Sequence, residues 1–440
     1  MQPFNLFSIA FFSAVRNVYQ NHIRAAHATL LIFGVAIIYW RVYQFNFIYG
    51  WDDQIFVLNY YTQAGLGWRN LCEIWTNFYA GQYAPLNQLY YTLLYSLFKY
   101  NPTCFHIVGV FIHITNVFLV YMLIRSILPK LILLPALQTE QISFLTAFLF
   151  AILPVNIEPV TWIAASKVTL YTLFYLAALL SYCRYLDTAR AKYFYLTLFF
   201  FVLSFATKEQ AVLMPLCMLL FDYIYGRDFK DKMIWFEKLP LVILTVLFGL
   251  ISLQSQGLQG GRSFYPVLQR IPLSAYTLSE YFTKCLIPIN LSFLYPFPFQ
   301  NGDKVLWWLW IYAAAIPLMI YCLYKQLKNR WLLFGLLFFF IHIGLVINLV
   351  PLARYSVTAD RYAYLSTIGT CFIVGYFVVI NLHTSRKRLS WLFVFGLYTA
   401  LLTAYSSSHI RVWTNTYTLK EKLKKTIESR KDYEELKKLK

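Results

Sequence analysis

Asp52 and Asp53 are adjacent carboxylates placed directly after a long apolar run, with Trp51 before them. Two like charges this close resist joint ionisation, and desolvation at a membrane surface raises a carboxyl pKa further. A carboxylate tuned in this way suits a general base. The same pair also suits the start of a helix near Gln54, because Asp is a strong N-cap residue; from the dipeptide alone, capping outweighs the base. A second acid, Glu158, stands between Pro154 and Pro159 in LPVNIEPVTW, where the prolines stop one helix and delay the next. Lys167 follows it, Lys208 and Glu209 mark a short reversal in SFATKEQAV, and Arg354, Asp360 and Arg361 lie among tyrosines in VPLARYSVTADRYAYL. Each acid–base pair alone is an interfacial ion pair of little worth. Cations from several turns at one membrane level are what a phosphate-bearing lipid head group needs, Arg offering a bidentate fork and Lys a point charge.

His106, His113 and Asn116 share one helical face by their spacing. Polar groups in a membrane helix turn inward, and interhelical hydrogen bonds outweigh metal ligation as their role. No HExxH, paired CxxC, Walker loop or GxSxG elbow occurs, so metalloprotease, nucleotide-driven and serine-hydrolase chemistry find no support.

The elements that must position these residues are membrane helices. The 440-residue chain is 59% apolar, 20% aromatic and 13% charged, with a mean hydropathy of +0.54. A soluble domain carries about a quarter charged residues, so a water-soluble enzyme and a disordered chain are both excluded. The net charge of +19 does not indicate nucleic acid, because the basic residues are scattered between hydrophobic runs, where anionic membrane lipids attract them. The expected fold is an all-α polytopic membrane protein. Its runs at 28–48, 104–125, 142–155, 166–186, 192–207, 210–225, 239–256, 305–325, 331–350, 363–382 and 390–408 make about eleven transmembrane helices. Two Tyr-rich segments, 85–98 and 272–289, are interrupted by polar residues or proline and suit helices lying at the interface.

With both of those lying flat, Arg24, Arg125, Lys130, Arg190, Arg227, Lys230, Lys232, Arg330 and Arg386 fall on the inner side, as the positive-inside rule requires. The layout has a cytoplasmic segment 1–27, a catalytic membrane domain 28–408, a first extracytoplasmic loop 49–103, further outer loops near 156–166 and 257–304, and a charged, solvated tail 409–440. Of the cysteines, only Cys72, Cys104 and Cys285 are placed to meet an oxidising compartment, a weak signal for a disulfide. The first hydrophobic run carries no obvious cleavage site, so it is expected to remain as a span.

The segments WDDQIFVLN, GQYAPLNQLYYTLLYSLF, NPTCFHIVGVFIHITNVFLVY, AILPVNIEPVTWIAASKVTLYTLFYL, TKEQAVLMPL and TADRYAYLSTIG, in that order, resemble the membrane domain of the GT-C glycosyltransferases. Within that group they resemble the transmembrane and tetratricopeptide repeat-containing O-mannosyltransferases and their bacterial relatives, over about residues 28–408. The resemblance implies a multi-pass enzyme that takes a sugar, with mannose the first candidate, from a polyprenyl-phosphate donor and transfers it with inversion to a hydroxyl on the extracytoplasmic side. It implies a base within the acidic pair Asp52 and Asp53, a juxtamembrane helix over 85–98, Glu158 as the second outer acid, and Lys167, Lys208 and Arg361 near the donor phosphate; the residues themselves put Asp52 before Asp53 as the base and add Arg354 to the phosphate-binding cations. Glu158 has three open roles: orienting Lys167, binding acceptor, or holding a divalent cation. Longer members continue into tetratricopeptide repeats absent from this sequence, so protein, glycan and lipid acceptors all stay open, and a bacterial inner membrane is expected rather than the endoplasmic reticulum. The alternative from another class is a flippase for lipid-linked sugar, which would place ionisable groups near mid-membrane and show inverted repeats.

Overall fold

A computed structural model describes residues 22–257, 265–299, 303–350 and 356–428. Among them no strand forms, and the only strand-like pairing is an isolated bridge between Tyr79 and Gln82. Six helices are long and apolar enough to cross a membrane: His22–Gln44, Pro102–Leu131, Ile163–Thr188, Lys232–Ser255, Thr367–Thr384 and Arg388–Trp413. A bent pair, Ala136–Ile152 and Pro154–Thr161, makes a seventh if counted as one span.

The difference from eleven lies in short helices. Ala191–Thr207, Trp307–Leu323 and Arg330–Val346 are apolar but shorter, and 210–225 divides into Glu209–Leu213 and Met214–Ile224. A helix of 17 residues reaches about 26 Å, just short of a hydrocarbon core of about 30 Å. Pro85–Phe98 and Val267–Leu286 form helices without the composition of a span, in line with an interfacial placement.

The local chemistry explains the boundaries. Asn101 caps Pro102–Leu131 by accepting from the Thr103 amide, with proline at the first helical position, where its missing N–H costs nothing. The 56° bend after Ile152 falls at Pro154. There the Asn156 side-chain amide donates to the Phe150 carbonyl at 2.8 Å, satisfying a group the bend would leave bare. Helices Arg330–Ile343 and Thr367–Thr384 cross at Gly335 and Gly369, where a Cβ on Gly369 would collide with the Gly335 carbonyl and sit 2.9 Å from the Phe339 nitrogen. Small residues of this kind let membrane helices approach backbone to backbone. Ile163–Thr188 is the most enclosed of the spans, whereas Lys232–Ser255 and Arg388–Trp413 leave most of their surface outside the protein, as helices facing lipid do.

Polar contacts gather at two ends of the bundle. At one, Arg125 pairs with Glu140 at 2.7 Å, Lys130 with Asp187 at 2.9 Å, Lys238 with Asp222 at 2.7 Å and Arg227 with Glu237 at 2.5 Å. At the other, the Asn46 amide bonds the Thr414 carbonyl at 2.9 Å and the Tyr49 amide bonds the Thr416 hydroxyl at 2.8 Å. The residues after 409 are therefore not the wholly solvated tail expected. Ile410, Trp413 and Leu419 are buried, and helix Thr416–Glu428 leads away from them. All seven cysteines are free, with Cys285 buried, so the weak signal for a disulfide is not realised.

Candidate active site

The two adjacent aspartates have different surroundings. Asp53 is fully buried: one carboxylate oxygen accepts from the Ile48 amide and the other from the Ala164 amide, each at 2.8 Å. It thus ties the segment just after the first span to the first turn of Ile163–Thr188. Burial pushes its carboxyl up to about 7, although the two backbone N–H groups oppose that rise. Asp52 is only half-buried and makes no capping bond to the turn Asp53–Val57 that follows it. The capping favoured from the dipeptide is therefore absent, because one aspartate bridges two segments and the other faces outward. Asp52 also lies close enough to Lys167 and Arg361 to act on both electrostatically.

Glu158 is buried at 2% exposure, and both its oxygens are occupied by one residue. The Arg361 backbone amide donates at 3.0 Å and its Nη1 at 2.5 Å. Glu158 therefore pairs with Arg361 and not with Lys167, whose Nζ donates to Gln82 Oε1 at 2.7 Å. The Arg361 guanidinium packs over Trp162, Tyr362 and Phe293, at 5.2, 5.0 and 5.9 Å from the ring centroids. Trp413 stacks on Trp162 with centroids 5.6 Å apart and meets Phe293 at 5.8 Å. Lys208, almost fully buried, lies 5.3 Å from the Tyr362 ring and 3.7 Å from Glu209, and it acts electrostatically on Lys167.

The fold thus brings Asp52, Lys167, Lys208 and Arg361 into one charge-coupled cluster with Tyr362 among the cations. Arg354 lies outside the described residues. Asp360 sits behind the cluster and accepts from the Tyr295 hydroxyl at 2.9 and 3.0 Å. Burial pushes its carboxyl up to about 7, with Glu158 adding to the rise while Lys284 and the Tyr295 hydrogen bond oppose it. Lys284 in turn lies 3.3 Å from the Tyr295 ring centroid and 3.1 Å from the Thr358 hydroxyl.

A divalent cation finds poor ligands here. The oxygens of Asp53, Glu158 and Asp360 are already engaged by amides, a guanidinium and a phenol, and among the described residues no three His, Cys, Asp or Glu side chains converge. On the polar face of the Pro102–Leu131 helix two of the three residues make hydrogen bonds, whereas buried His106 has no hydrogen-bond partner at either ring nitrogen among the described residues. His113 shares a hydrogen bond with the Tyr364 hydroxyl at 2.6 Å, and the Asn116 amide donates to the Thr169 carbonyl at 2.8 Å. Sequence reasoning missed Trp413, Phe293 and Tyr295. Only the apolar residues of IRVW, just past the last run, hinted that the tail begins inside the structure.

The apolar helices define an integral membrane protein, with this polar cluster at one end of its bundle. Over 162 residues the chain is 29% identical to protein O-mannosyl-transferase TMTC1 of Mus musculus. That match covers 34% of this chain and 16% of the mouse protein, a distant and partial likeness to an O-mannosyl-transferase. No family model matches the chain.

Proposed function

We propose that this protein transfers a sugar, mannose being the first candidate, from a polyprenyl-phosphate donor to a hydroxyl acceptor, with inversion, at the membrane face that carries loop 49–103. The observation that carries the reading is the division of labour between the two aspartates. Asp53 is consumed by two backbone amides, and Asp52, half-buried and outside that lock, lies within electrostatic reach of Lys167 and Arg361. The partial similarity to an O-mannosyl-transferase supports the reaction class, and a protein acceptor is the first one to test.

An acceptor hydroxyl has a pKa far above neutrality, so its proton must leave as its oxygen attacks the anomeric carbon. Asp52 takes that proton as the new C–O bond forms on the face opposite the phosphate. The bond from the anomeric carbon to the phosphate oxygen breaks at the same time, and the departing lipid phosphate gains negative charge. Lys167 and Lys208 stabilise that charge in a partly dehydrated site, where preorganised cations act more strongly than in water. Arg361 contributes its field, while its direct bonds go to Glu158.

A flippase reading calls for ionisable groups spread along the mid-membrane path. The buried charges at hand instead gather at the two ends, which favours bond chemistry. The experiment is transfer of radiolabelled mannose from polyprenyl-phosphate mannose to hydroxyl acceptors by purified protein, wild type against Lys167→Gln/Lys208→Gln. Expected is transfer by the wild type and weakened use of donor by the variant. Donor use unchanged in the double variant removes the phosphate role, and movement of donor across vesicles without transfer removes the enzyme.

A further inference from the structure

The turn Tyr79–Gln82 is unusual. Its two central residues, Ala80 and Gly81, both have positive φ, +47° and +72°, and the outer pair exchange backbone hydrogen bonds at 3.1 and 3.0 Å. That is the geometry of a tight turn in which glycine fits both centres and Ala80 is strained. Strain of this kind persists only where surrounding contacts impose it. Here those contacts hold Gln82 on Lys167 at 2.7 Å and stand Tyr79 edge-on to Tyr61, with ring centroids 5.3 Å apart.

The turn walls a shallow cleft, open to solvent, bounded by Phe56, Tyr61, Tyr79, Gln82, Asn87 and Lys167. Asn87 is 5% exposed, and its side-chain carbonyl oxygen has no hydrogen-bond partner among the described residues. A buried acceptor left bare costs free energy; this oxygen is sealed from solvent, so a ligand hydroxyl recovers that cost once the Asn87 side chain turns toward the cleft. Aromatic faces set among amide side chains, with one unpaired buried acceptor, suit a pyranose ring, which offers apolar C–H faces and a rim of hydroxyl donors. Lys167 belongs both to this wall and to the cation cluster beside Asp52.

We infer that this cleft binds the hexose of the lipid-linked donor, the Asn87 carbonyl oxygen accepting from a sugar hydroxyl and Tyr79 and Phe56 packing on the ring. The inference rests on the donor reading above. A phosphate held at Lys167 leaves its anomeric substituent one bond away, and the cleft is the space that opens from that lysine. Asn87 and Tyr79 are then specificity residues, with no part in phosphate binding.

The test uses the purified full-length protein and two probes: a short-chain polyprenyl phosphate, and the same lipid phosphate carrying mannose. Binding is read by tryptophan fluorescence for the wild type, Asn87→Leu and Tyr79→Leu, with thermal unfolding as the check on folding. Tyr79 is only partly buried, so its variant remains informative should Asn87→Leu fail to fold. Expected is that mannose raises wild-type affinity about tenfold, and that either variant loses this increment while binding the bare phosphate as before. Equal affinity of the wild type for both probes overturns the cleft but leaves the donor reading intact; binding of neither probe removes both. Loss of affinity for bare phosphate in the variants also overturns it. So does binding of free methyl mannoside that the same substitutions abolish, because that result assigns the cleft to an acceptor sugar.

Discussion

The sharpest consequence of the site is that neighbouring aspartates should fail in different ways. Asp53→Ala removes the acceptor for two buried amides, Ile48 and Ala164, each now bonded at 2.8 Å. A buried donor left without a partner costs about 1–3 kcal/mol, so the pair should cost about 2–6 kcal/mol and separate the segment after the first span from the first turn of Ile163–Thr188. Asp53→Asn keeps one acceptor and should lose about half as much. Asp52→Asn removes no capping bond and should change stability by about 0.5 kcal/mol or less. It deletes the proposed base, however, and a general base contributes about 100- to 10,000-fold. The assay pairs thermal unfolding in detergent with transfer of labelled sugar, the latter at a temperature where all variants are folded. Asp52→Asn should be stable and inactive, and Asp53→Asn unstable but active within about tenfold of wild type once folded. Full transfer by Asp52→Asn, or unchanged unfolding of Asp53→Ala, would refute the division of roles.

Other expectations follow from the same contacts. Asp360 has a carboxyl raised to about 7 in the folded protein against about 3.9 when unfolded. The folded state then holds the extra proton between those values, so its contribution to stability is full below about pH 4 and is lost as pH rises through about 7. Unfolding temperatures measured from pH 5 to 8 should fall less steeply in Asp360→Asn than in wild type; parallel curves would exclude the shift. Glu158→Gln leaves the Arg361 guanidinium without its buried counter-charge and should destabilise by about 3–5 kcal/mol, visible as a large drop in unfolding temperature. Gly369→Leu forces a side chain into the Gly335 backbone and should lower stability by at least about 2 kcal/mol, while Gly396→Ala, with nothing near its Cβ position, should not; equal effects would reject the close crossing. In protein with Cys72, Cys104 and Cys322 changed to serine, single cysteines in place of Trp68, 80% exposed, and Tyr417, 75% exposed, should react with an impermeant thiol reagent from one side of the membrane. A cysteine in place of Leu133 should react only from the other side, and any other pattern contradicts the shared face of loop 49–103 and the tail.

Much of this architecture is written in composition. Apolar runs long enough for lipid specify helices, because only a structure that satisfies its own backbone hydrogen bonds can cross hydrocarbon, and the long spans begin and end within several residues of those runs. The short helix Pro85–Phe98, which is not a candidate span, and the break at Pro154 were legible for similarly local reasons, aromatic and polar interruption in one and proline in the other. Short apolar runs were the weak point. Hydropathy alone does not separate a span from a shorter buried helix, and 192–207, 210–225, 305–325 and 331–350 all folded into elements below full spanning length.

The amino-acid sequence by itself determined the membrane class, the scarcity of acids and the concentration of the remaining ones at a few turns. Pairing was decided only by the tertiary structure. Nothing in WDDQ distinguishes Asp52 from Asp53, since the amide that makes the second a bridge comes from Ala164, 111 positions away. Nor does LPVNIEPVTW reveal that Glu158 is claimed by Arg361 across 203 positions, or that Trp413 closes the aromatic box around that arginine. Hydropathy and capping are properties of neighbours along the chain. The charge state and availability of a carboxylate depend on what surrounds it in space, and that is set only when the helices pack.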